Sequence, residues 1–186
     1  MIIMKNFYTK VFDEINNILN QTDLISLEKI YKSIILTNKK NKKVIIFGNG
    51  GSAAISSHVS VDLTKNAGIR SINFNEADLL TCFSNDFGYQ KVFSKSLEFY
   101  VDKGDLVIII SASGRSKNLL EAAKYCKRRK IFLCTLTGFS KSNPLKKMGD
   151  INMWANSKAY NIVENVHQIW LLSIVDRIIG KSEYSA

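Results

Sequence analysis

Two segments rich in glycine and serine are the part of this sequence whose residue types most favour binding of an anion. They read Gly48-Asn-Gly-Gly-Ser-Ala-Ala54 and Ser111-Ala-Ser-Gly-Arg-Ser116. Each follows a short apolar run and opens an amphipathic one, which predicts a strand passing into a helix. Free N–H groups and the positive end of the dipole at a helix start favour a phosphate. The candidate ligands are Asn49, Gly50, Gly51, Ser52, Ser111, Ser113 and Ser116.

Either segment alone is also compatible with a structural turn and helix cap, the commoner role of such clusters. The pair is more specific, because two such segments at equivalent strand ends of one sheet converge on a single ligand. Neither segment is a P-loop, since Gly-Lys-Ser/Thr is absent, and neither is a dinucleotide fingerprint. We therefore expect a phosphorylated small molecule as the ligand, and no nucleotide cofactor.

His58 and Asp62 lie four residues apart shortly after the first segment. On a helix this spacing places both side chains on one face. They could then hold a divalent ion, or form a base with the residue that orients it. The alternative is a salt-linked, partly exposed pair, and the spacing alone favours that alternative.

Short apolar runs alternate with longer amphipathic segments after residue 43. Residues 106–110 are apolar throughout, as expected for a strand buried on both faces of a parallel sheet. The alternation predicts an α/β fold with a doubly wound parallel sheet, in which ligands bind beyond the carboxyl ends of the strands. The residues that bind the ligand should therefore follow Phe47, Phe74 and Ile110. The predicted strands are residues 44–47, 71–74, 106–110, 131–136 and 151–154.

Helical patterns begin and end the sequence. Apolar residues recur at helical spacing over residues 7–19 and 24–35, and a long, strongly apolar pattern covers residues 160–179. A helix as apolar as the last one usually packs against a partner chain as well as its own sheet. No linker rich in proline or glycine divides the chain, which predicts a single domain over residues 1–186.

The charge and composition limit the partners and the compartment. The formal net charge is +10, and basic residues cluster in residues 39–43, 127–130 and 146–147. Nucleic acid is an unlikely partner because no aromatic residue alternates with these runs; solvated ends that attract small anions are the simpler interpretation. No apolar run is long enough to cross a membrane. The N-terminus does not resemble a signal peptide.

Three cysteines, Cys82, Cys126 and Cys134, are widely spaced and show no metal-like pairing. Their mainly apolar neighbours predict buried free thiols, which are typical of a reducing compartment. We therefore expect a cytoplasmic protein.

Three motifs occur in order along the chain: GNGGSA, then NDFG at Asn85–Gly88, then SASGRS. Together they resemble the sugar isomerase (SIS) domain family, and most of all its phosphoheptose isomerases. The resemblance covers nearly the whole chain. It implies a five-stranded parallel sheet flanked by helices and a homotetramer with sites at subunit interfaces. The N-terminal helices within residues 1–40 would then serve oligomerisation, and residues 43–180 would form the α/β core.

The resemblance also implies roles for individual residues. The serines of both segments would hold the phosphate, and Asn85 and Asp86 would lie in the sugar pocket. Zn²⁺ would be bound by a histidine and a carboxylate that correspond to His58 and Asp62. The carboxylate would also move a proton.

The final helix departs from the family pattern. Its family ligands, a glutamine and a histidine eight residues later, correspond to Glu164 and Leu172. Glu164 can still ligate a metal or act as a base, whereas Leu172 can do neither. Gln168 lies between them on the same face and could reach a sugar hydroxyl. We expect His167, on another face, to be a satisfied structural histidine.

These residues predict an aldose–ketose isomerase of phosphorylated sugars, acting on sedoheptulose 7-phosphate or a related compound for surface-polysaccharide heptose. Asp62 or Glu164 would be the base, with His58, Asp62 and Glu164 around a Zn²⁺ ion. The alternative is a non-catalytic phosphosugar-binding or assembly protein, like the family member that binds a replication initiator. Leu172 favours this alternative, and the retained His58, Asp62 and Glu164 favour the enzyme.

Overall fold

Five parallel strands form a single sheet within the part of the chain that the computed structural model describes, namely the backbone of residues 2–183 and the side chains of residues 6–183. The strand order is β2-β1-β3-β4-β5. The predicted α/β fold with a parallel sheet is confirmed. The strands are β1 (Val44–Gly48), β2 (Ser71–Ile72), β3 (Leu106–Ser111), β4 (Phe132–Thr137) and β5 (Ile151–Trp154).

Helices cover both faces of the sheet. The last one begins and ends where the apolar pattern predicts, and a short 3-10 helix at Tyr89–Lys91 follows the NDFG motif. The α-helices are α1 (Ile2–Asn20), α2 (Leu24–Lys39), α3 (Gly51–Lys65), α4 (Ala77–Phe87), α5 (Val92–Tyr100), α6 (Lys117–Arg129) and α7 (Tyr160–Ile179).

The central strands are buried on both faces, as the unbroken apolar run in β3 predicts. Alternate side chains point to opposite faces of a strand. Ile108 and Ile110 thus join a cluster with residues of α3 and α7, and Val107 and Ile109 join another with residues of α5 and α6. The two clusters hold the sheet between helical layers and fix where its strands end.

The second predicted strand is longer than the observed one. β2 pairs with β1 only through Ser71 and Ile72, and the chain then leaves the sheet. The side chain of Asn75 donates to the backbone oxygen of Ala53 and to the hydroxyl of Ser57, both at 2.7 Å. These side-chain contacts attach the segment to α3 in place of strand pairing.

The prediction for the cysteines is correct at two positions and wrong at the third. Cys126 and Cys134 are buried, and burial raises the pKa of the Cys126 thiol to about 12. Cys82 is exposed on α4, where its thiol lies 3.7 Å from the carboxylate of Asp86. Its apolar sequence neighbours face the core while Cys82 points the other way. Among residues 2–183, no helix is long and apolar enough to span a membrane.

Candidate active site

A cavity of about 280 Å³ lies beyond the carboxyl ends of β1 and β3. Both Ser/Gly segments line it, which confirms that the fold brings the two segments together. The start of α7 adds two side chains to the wall, Tyr160 and Glu164. The predicted ligands that line it are Asn49, Gly50, Gly51, Ser52, Ser111, Ser113 and Ser116.

The first segment turns sharply into α3. Gly50 adopts a φ of 56°, a left-handed conformation that glycine reaches without strain. Ser52 then lies in the first turn of α3 and is only 3% exposed, and its N–H group donates to the backbone oxygen of Asn49 at 3.0 Å. Gly51 packs against the carboxylate of Glu164, and a Cβ at this position would overlap that carboxylate. The missing side chain therefore lets Glu164 enter the cavity.

The second segment forms a tight turn before α6. The N–H of Gly114 donates to the backbone oxygen and to the hydroxyl of Ser111, at 3.1 and 3.2 Å. The hydroxyl of Ser113 accepts the N–H of Arg115 at 3.3 Å. Ser116 precedes α6 without capping it through its hydroxyl. That hydroxyl, together with the first N–H groups of α6, is available to an anion.

An amide pair that the sequence did not reveal joins the two segments. Asn49 and Asn118 exchange side-chain hydrogen bonds of 3.0 and 2.9 Å, and the hydroxyl of Tyr89 also donates to Asn49 at 3.0 Å. Asn118 is 3% exposed. The sequence predicts that Asn49 binds substrate, but its side chain is instead engaged in hydrogen bonds that fix the spacing of the two segments. Only the fold brings Asn49 and Asn118 together, since 69 residues separate them.

A line of polar side chains runs from the cavity along the contact between α3 and α7. We call it the α3–α7 seam and define it by His58, Asp62, Glu164 and Gln168. The amide nitrogen of Gln168 lies 3.4 Å from Nδ1 of His58, and Nε2 of His58 lies 3.3 Å from Oδ2 of Asp62. Asn66 donates to the other carboxylate oxygen of Asp62 at 3.0 Å. Gln168 thus holds His58 rather than pointing freely at a ligand.

The two predicted carboxylates occupy different surroundings. Glu164 lines the cavity, and burial raises the pKa of its carboxyl group above the ordinary value. Asp62 lies ten residues after Ser52, about 15 Å along α3, and does not line the cavity. His58 and Asp62 form the partly exposed pair that their spacing predicts; the His58 side chain is 50% exposed. Glu164 is the carboxylate that shares a wall with the serines.

The predicted metal ligands are not gathered in one place. Among the described residues, no three His, Cys, Asp or Glu side chains come close enough together to hold a metal ion. His58 and Asp62 contact each other, while Glu164 lies against Gly51 at the cavity. This arrangement does not fit a zinc ion bound by all three. Zn²⁺ stays a prediction.

Four other positions singled out in the sequence lie outside the cavity. Asn85 and Asp86 are exposed at the end of α4, where the Asn85 amide donates to Asp86 at 3.0 Å. His167 is fully buried; its Nε2 bonds the backbone oxygen of Thr137 at 3.0 Å, while its Nδ1 has no partner in residues 6–183. Burial lowers its pKa to about 4. Leu172 is half-buried and packs against the core cluster that includes residues of α3 and α7.

Comparison with known proteins places the chain among sugar-phosphate enzymes. A model described as "SIS domain" matches residues 7–138. A phosphoheptose isomerase from Campylobacter concisus is 32% identical over 177 residues, 92% of this chain and 90% of that protein. One from Buchnera aphidicola is 32% identical over 168 residues, 86% of each chain. One from Cytophaga hutchinsonii is 37% identical over 118 residues, 61% of this chain and 62% of that protein.

Solved structures agree with the fold. A phosphoheptose isomerase from Neisseria gonorrhoeae superposes with a TM-score of 0.86 at 23% identity, covering 94% of this chain and 99% of that one. One from Francisella tularensis gives a TM-score of 0.85 at 20% identity, covering 94% and 95%. With the family match, the full-length relatives and the paired phosphate segments, the chain belongs to the SIS-domain family and groups with its phosphoheptose isomerases.

Proposed function

We propose that the protein is a cytoplasmic aldose–ketose isomerase that acts on sedoheptulose 7-phosphate or a related sugar phosphate in the synthesis of surface-polysaccharide heptose. One observation carries the proposal: the two Ser/Gly segments and the carboxylate of Glu164 line the same cavity. An anchor for phosphate and a group able to move a proton are thus adjacent. Full-length relatives named phosphoheptose isomerase support the same substrate.

The phosphate is anchored by the hydroxyls of Ser52, Ser113 and Ser116 and by the first N–H groups of α6, while α3 contributes its dipole because the N–H groups of Ser52 and Ala53 already donate to Asn49 and Gly50. Two helix N-termini direct partial positive charge at the same cavity. Lys and Arg side chains do not line this cavity within the described residues. Binding therefore relies on hydrogen bonds and dipoles. The pairing of Asn49 with Asn118 keeps the two helix starts at a fixed separation.

Glu164 is the proposed base for the carbon-bound proton. It removes a proton from the carbon next to the carbonyl, which leaves an enediolate, and returns a proton to the neighbouring carbon. The raised pKa of Glu164 makes its carboxylate a stronger base and brings the group closer to the working pH. Gly51 allows this carboxylate to lie against the backbone that also holds the phosphate.

His58 is the proposed carrier of the oxygen-bound proton. The isomerisation must also move a proton between the two oxygens on the reacting carbons. His58 lies near Glu164 along the α3–α7 seam, because its partner Gln168 is one turn of α7, about 6 Å, beyond Glu164. Asp62 orients the imidazole through Nε2, so the proton passes through Nδ1 once a substrate oxygen takes the place of the Gln168 amide there. Asp62 is accordingly a positioning residue rather than the base.

A homotetramer is part of the proposal. The α3–α7 seam is open to solvent in the single chain, since the His58 side chain is half exposed. Apolar side chains also remain exposed on α1, where Phe7, Tyr8 and Phe12 are 58–66% exposed. Clustered aromatic side chains of this kind favour a protein interface. Packing through α1 and α7 covers these side chains and closes the site.

A second candidate function is a phosphosugar-binding protein without catalysis. Leu172 supports it, because this side chain packs into the core one turn beyond Gln168 and cannot transfer a proton. The phosphate cavity serves such a protein equally well. The retained polar side chains of the α3–α7 seam support the enzyme instead.

An isomerase assay separates the two candidates. The purified protein is incubated with sedoheptulose 7-phosphate and, as matched control, with unphosphorylated sedoheptulose, each with and without added ZnCl₂. We expect an aldose phosphate from the first substrate and hardly any product from the second. Tight binding of the phosphosugar with no product in either zinc condition would favour the non-catalytic binding function over the isomerase function. Equal turnover of both sugars would refute the phosphate anchor.

A further inference from the structure

A second and larger cavity lies at the opposite end of the sheet. Its volume is about 700 Å³, which suits a small-molecule ligand. It opens where β3 and β4 begin, between the end of α2 and the turn that follows α6. β3 separates it from the phosphate cavity by six residues, about 20 Å of strand. It is therefore a different site from the one described above.

Two of the basic runs in the sequence meet at this cavity. Lys40 comes from the first run, Arg128–Lys130 come from the second, and Lys103 lies in the turn before β3. Within residues 6–183, the side chains of Lys40, Lys103, Arg129 and Lys130 form no hydrogen bond or ion pair. Arg128 lies over the ring of Tyr125, 5.5 Å from its centroid. The fold thus gathers cations from three separate segments of the sequence, at Lys40, at Lys103 and at Arg128–Lys130.

The two acidic residues in the cavity wall pair with a single lysine, which offsets one of their two negative charges. The ammonium group of Lys43 lies 2.8 Å from Asp102 and 2.6 Å from Asp105. Asp105 is only 2% exposed and also accepts the backbone N–H groups of Lys43 and Asp102. These contacts hold the carboxylates away from other partners, so the positive charge of the remaining side chains is left for a ligand. Opposite charge attracts strongly in a concave site with low-dielectric walls.

An apolar wall accompanies the charge. Leu36 and Phe132 line the cavity and remain 52% and 45% exposed. Val101 and Ile131 line it as well. An exposed aromatic ring beside several cations fits a ligand that has both a flat apolar part and clustered negative charge. A base with a chain of phosphates has both properties, because bases stack on aromatic rings and phosphates pair with Arg and Lys.

We propose that this cavity binds a nucleoside diphosphate or triphosphate, with its base against Phe132 and Leu36 and its phosphates held by Lys40, Lys103, Arg129 and Lys130. The nucleotide is a ligand separate from the isomerisation, not a cofactor of it. The concave shape distinguishes this ligand from a duplex, whose backbone needs an extended basic surface rather than a cavity.

The test is a calorimetric titration of the full-length protein with ADP. A Lys103→Gln/Arg129→Gln double variant removes two cations from the cavity, and we expect affinity to fall at least 10-fold. Its matched control is Lys65→Gln/Lys147→Gln, which removes the same charge from exposed positions outside the cavity and should bind ADP like wild type. Phe132→Thr, which keeps a residue suited to a strand, should weaken ADP and leave tripolyphosphate unaffected.

A Ser52→Ala/Ser113→Ala variant should bind ADP as wild type does, since the phosphate segments are at the other end of the sheet. Circular dichroism melts check that each variant is folded. The single Lys40→Gln variant removes one exposed cation and should weaken ADP binding less than the double variant does. Equal ADP binding by the two double Lys/Arg variants would overturn the proposal. So would displacement of ADP by sugar phosphate, tripolyphosphate binding as tightly as ADP, or preference for single- or double-stranded DNA over ADP.

Discussion

The phosphate cavity and the α3–α7 seam adjoin each other, yet they differ in how firmly their side chains are held. In the cavity, Ser52 and Ser111 are 3% and 4% exposed, and the Asn49–Asn118 pair ties the two segments together. In the seam, the His58 side chain is half exposed and its two contacts are 3.3 and 3.4 Å long. The serines of the cavity and Glu164 are thus held by packing, whereas His58, at the other end of the seam, is loosely held.

The difference has a physical cause. Phosphate binding here depends on backbone turns and helix starts, which short stretches of sequence determine by themselves. The proposed proton transfer depends on long side chains from two helices, and catalytic hydrogen bonds of this kind often tighten only when substrate is bound. Position 172 then weakens the seam further, because a leucine stands where a family ligand is expected. Changes in the two regions should therefore affect affinity and turnover separately.

The largest expected effect is on affinity in the cavity. Ser52→Ala/Ser113→Ala removes two hydrogen bonds to a charged phosphate, each worth about 1.5–3 kcal/mol, so affinity should fall by about 10²–10⁴-fold. Calorimetric titration with sedoheptulose 7-phosphate measures it. Ser94→Ala/Ser173→Ala removes two hydroxyls that bond only helix carbonyls and serves as control. Unchanged affinity in the first variant would move the site away from the cavity.

A second effect concerns His167, a buried residue of α7 that faces the core beside the seam. His167 has a pKa of about 4, below the ordinary 6.5, because burial disfavours its charged form. The unfolded chain therefore takes up a proton first as the pH falls. Stability is fully present above pH 6.5 and should decrease between pH 6.5 and pH 4, by on the order of 3 kcal/mol.

Denaturant unfolding of wild type and His167→Gln across this pH range measures the effect. The variant cannot be protonated, so its stability should fall less steeply, while the other titrating groups are common to both proteins. Affinity for the phosphosugar at pH 7 should remain unchanged if α7 keeps its position. Parallel pH profiles for the two proteins would show that His167 is not the group responsible.

A third effect concerns the hydrogen-bonded pair Asn49–Asn118, which joins the two segments of the cavity. Asn118→Ala removes both hydrogen bonds between the two amides and leaves Asn49 with the Tyr89 hydroxyl as its remaining partner, which should cost about 1–3 kcal/mol of stability. KM should rise more than kcat falls, since the phosphate segments would separate while Glu164 stays in place. Asn165→Ala, at an exposed position on α7, is the control. An equal loss of stability and an equal rise in KM in Asn118→Ala and Asn165→Ala would contradict this role of the Asn49–Asn118 pair.

The smallest expected effect is a gain in the α3–α7 seam. Leu172→His restores a proton-transfer group one turn beyond Gln168, and we expect turnover of sedoheptulose 7-phosphate to rise by up to about tenfold. Its half-buried position makes a small loss of stability unavoidable. Leu172→Gln, polar but unable to act as a base, is the matched control. A rise in turnover in both variants, or in neither, would show that the residue at position 172 takes no part in proton transfer.

Sequence alone predicts the parts of this molecule that periodicity and local motifs determine. The apolar pattern places α7 at its observed bounds, and the Ser/Gly segments identify the cavity. The pattern overestimates β2, because the side chain of Asn75 replaces strand pairing. It also places Cys82 in the core, because a short apolar stretch does not reveal which side of α4 faces the sheet.

The features of the site that the sequence does not predict are contacts between residues far apart along the chain. Asn118 and Tyr89 reach Asn49 from other elements, and neither carries a motif that distinguishes it from an ordinary helix or turn residue. The approach of Glu164 to Gly51 likewise depends on how α7 packs on α3. Such contacts follow from the three-dimensional fold and not from spacing along the chain.

The central claim is that Glu164 moves the carbon-bound proton. Hydrogen–deuterium exchange at the carbon next to the carbonyl of sedoheptulose 7-phosphate, followed by NMR in D₂O, measures that step directly. Wild type should exchange, Glu164→Gln should be slower by about 10²–10⁴-fold, and Asp62→Asn should lose less. Because burial raises the pKa of Glu164, removing its charge should not destabilise the fold at pH 7. Wild-type exchange in Glu164→Gln, with exchange abolished in Asp62→Asn, would contradict the account.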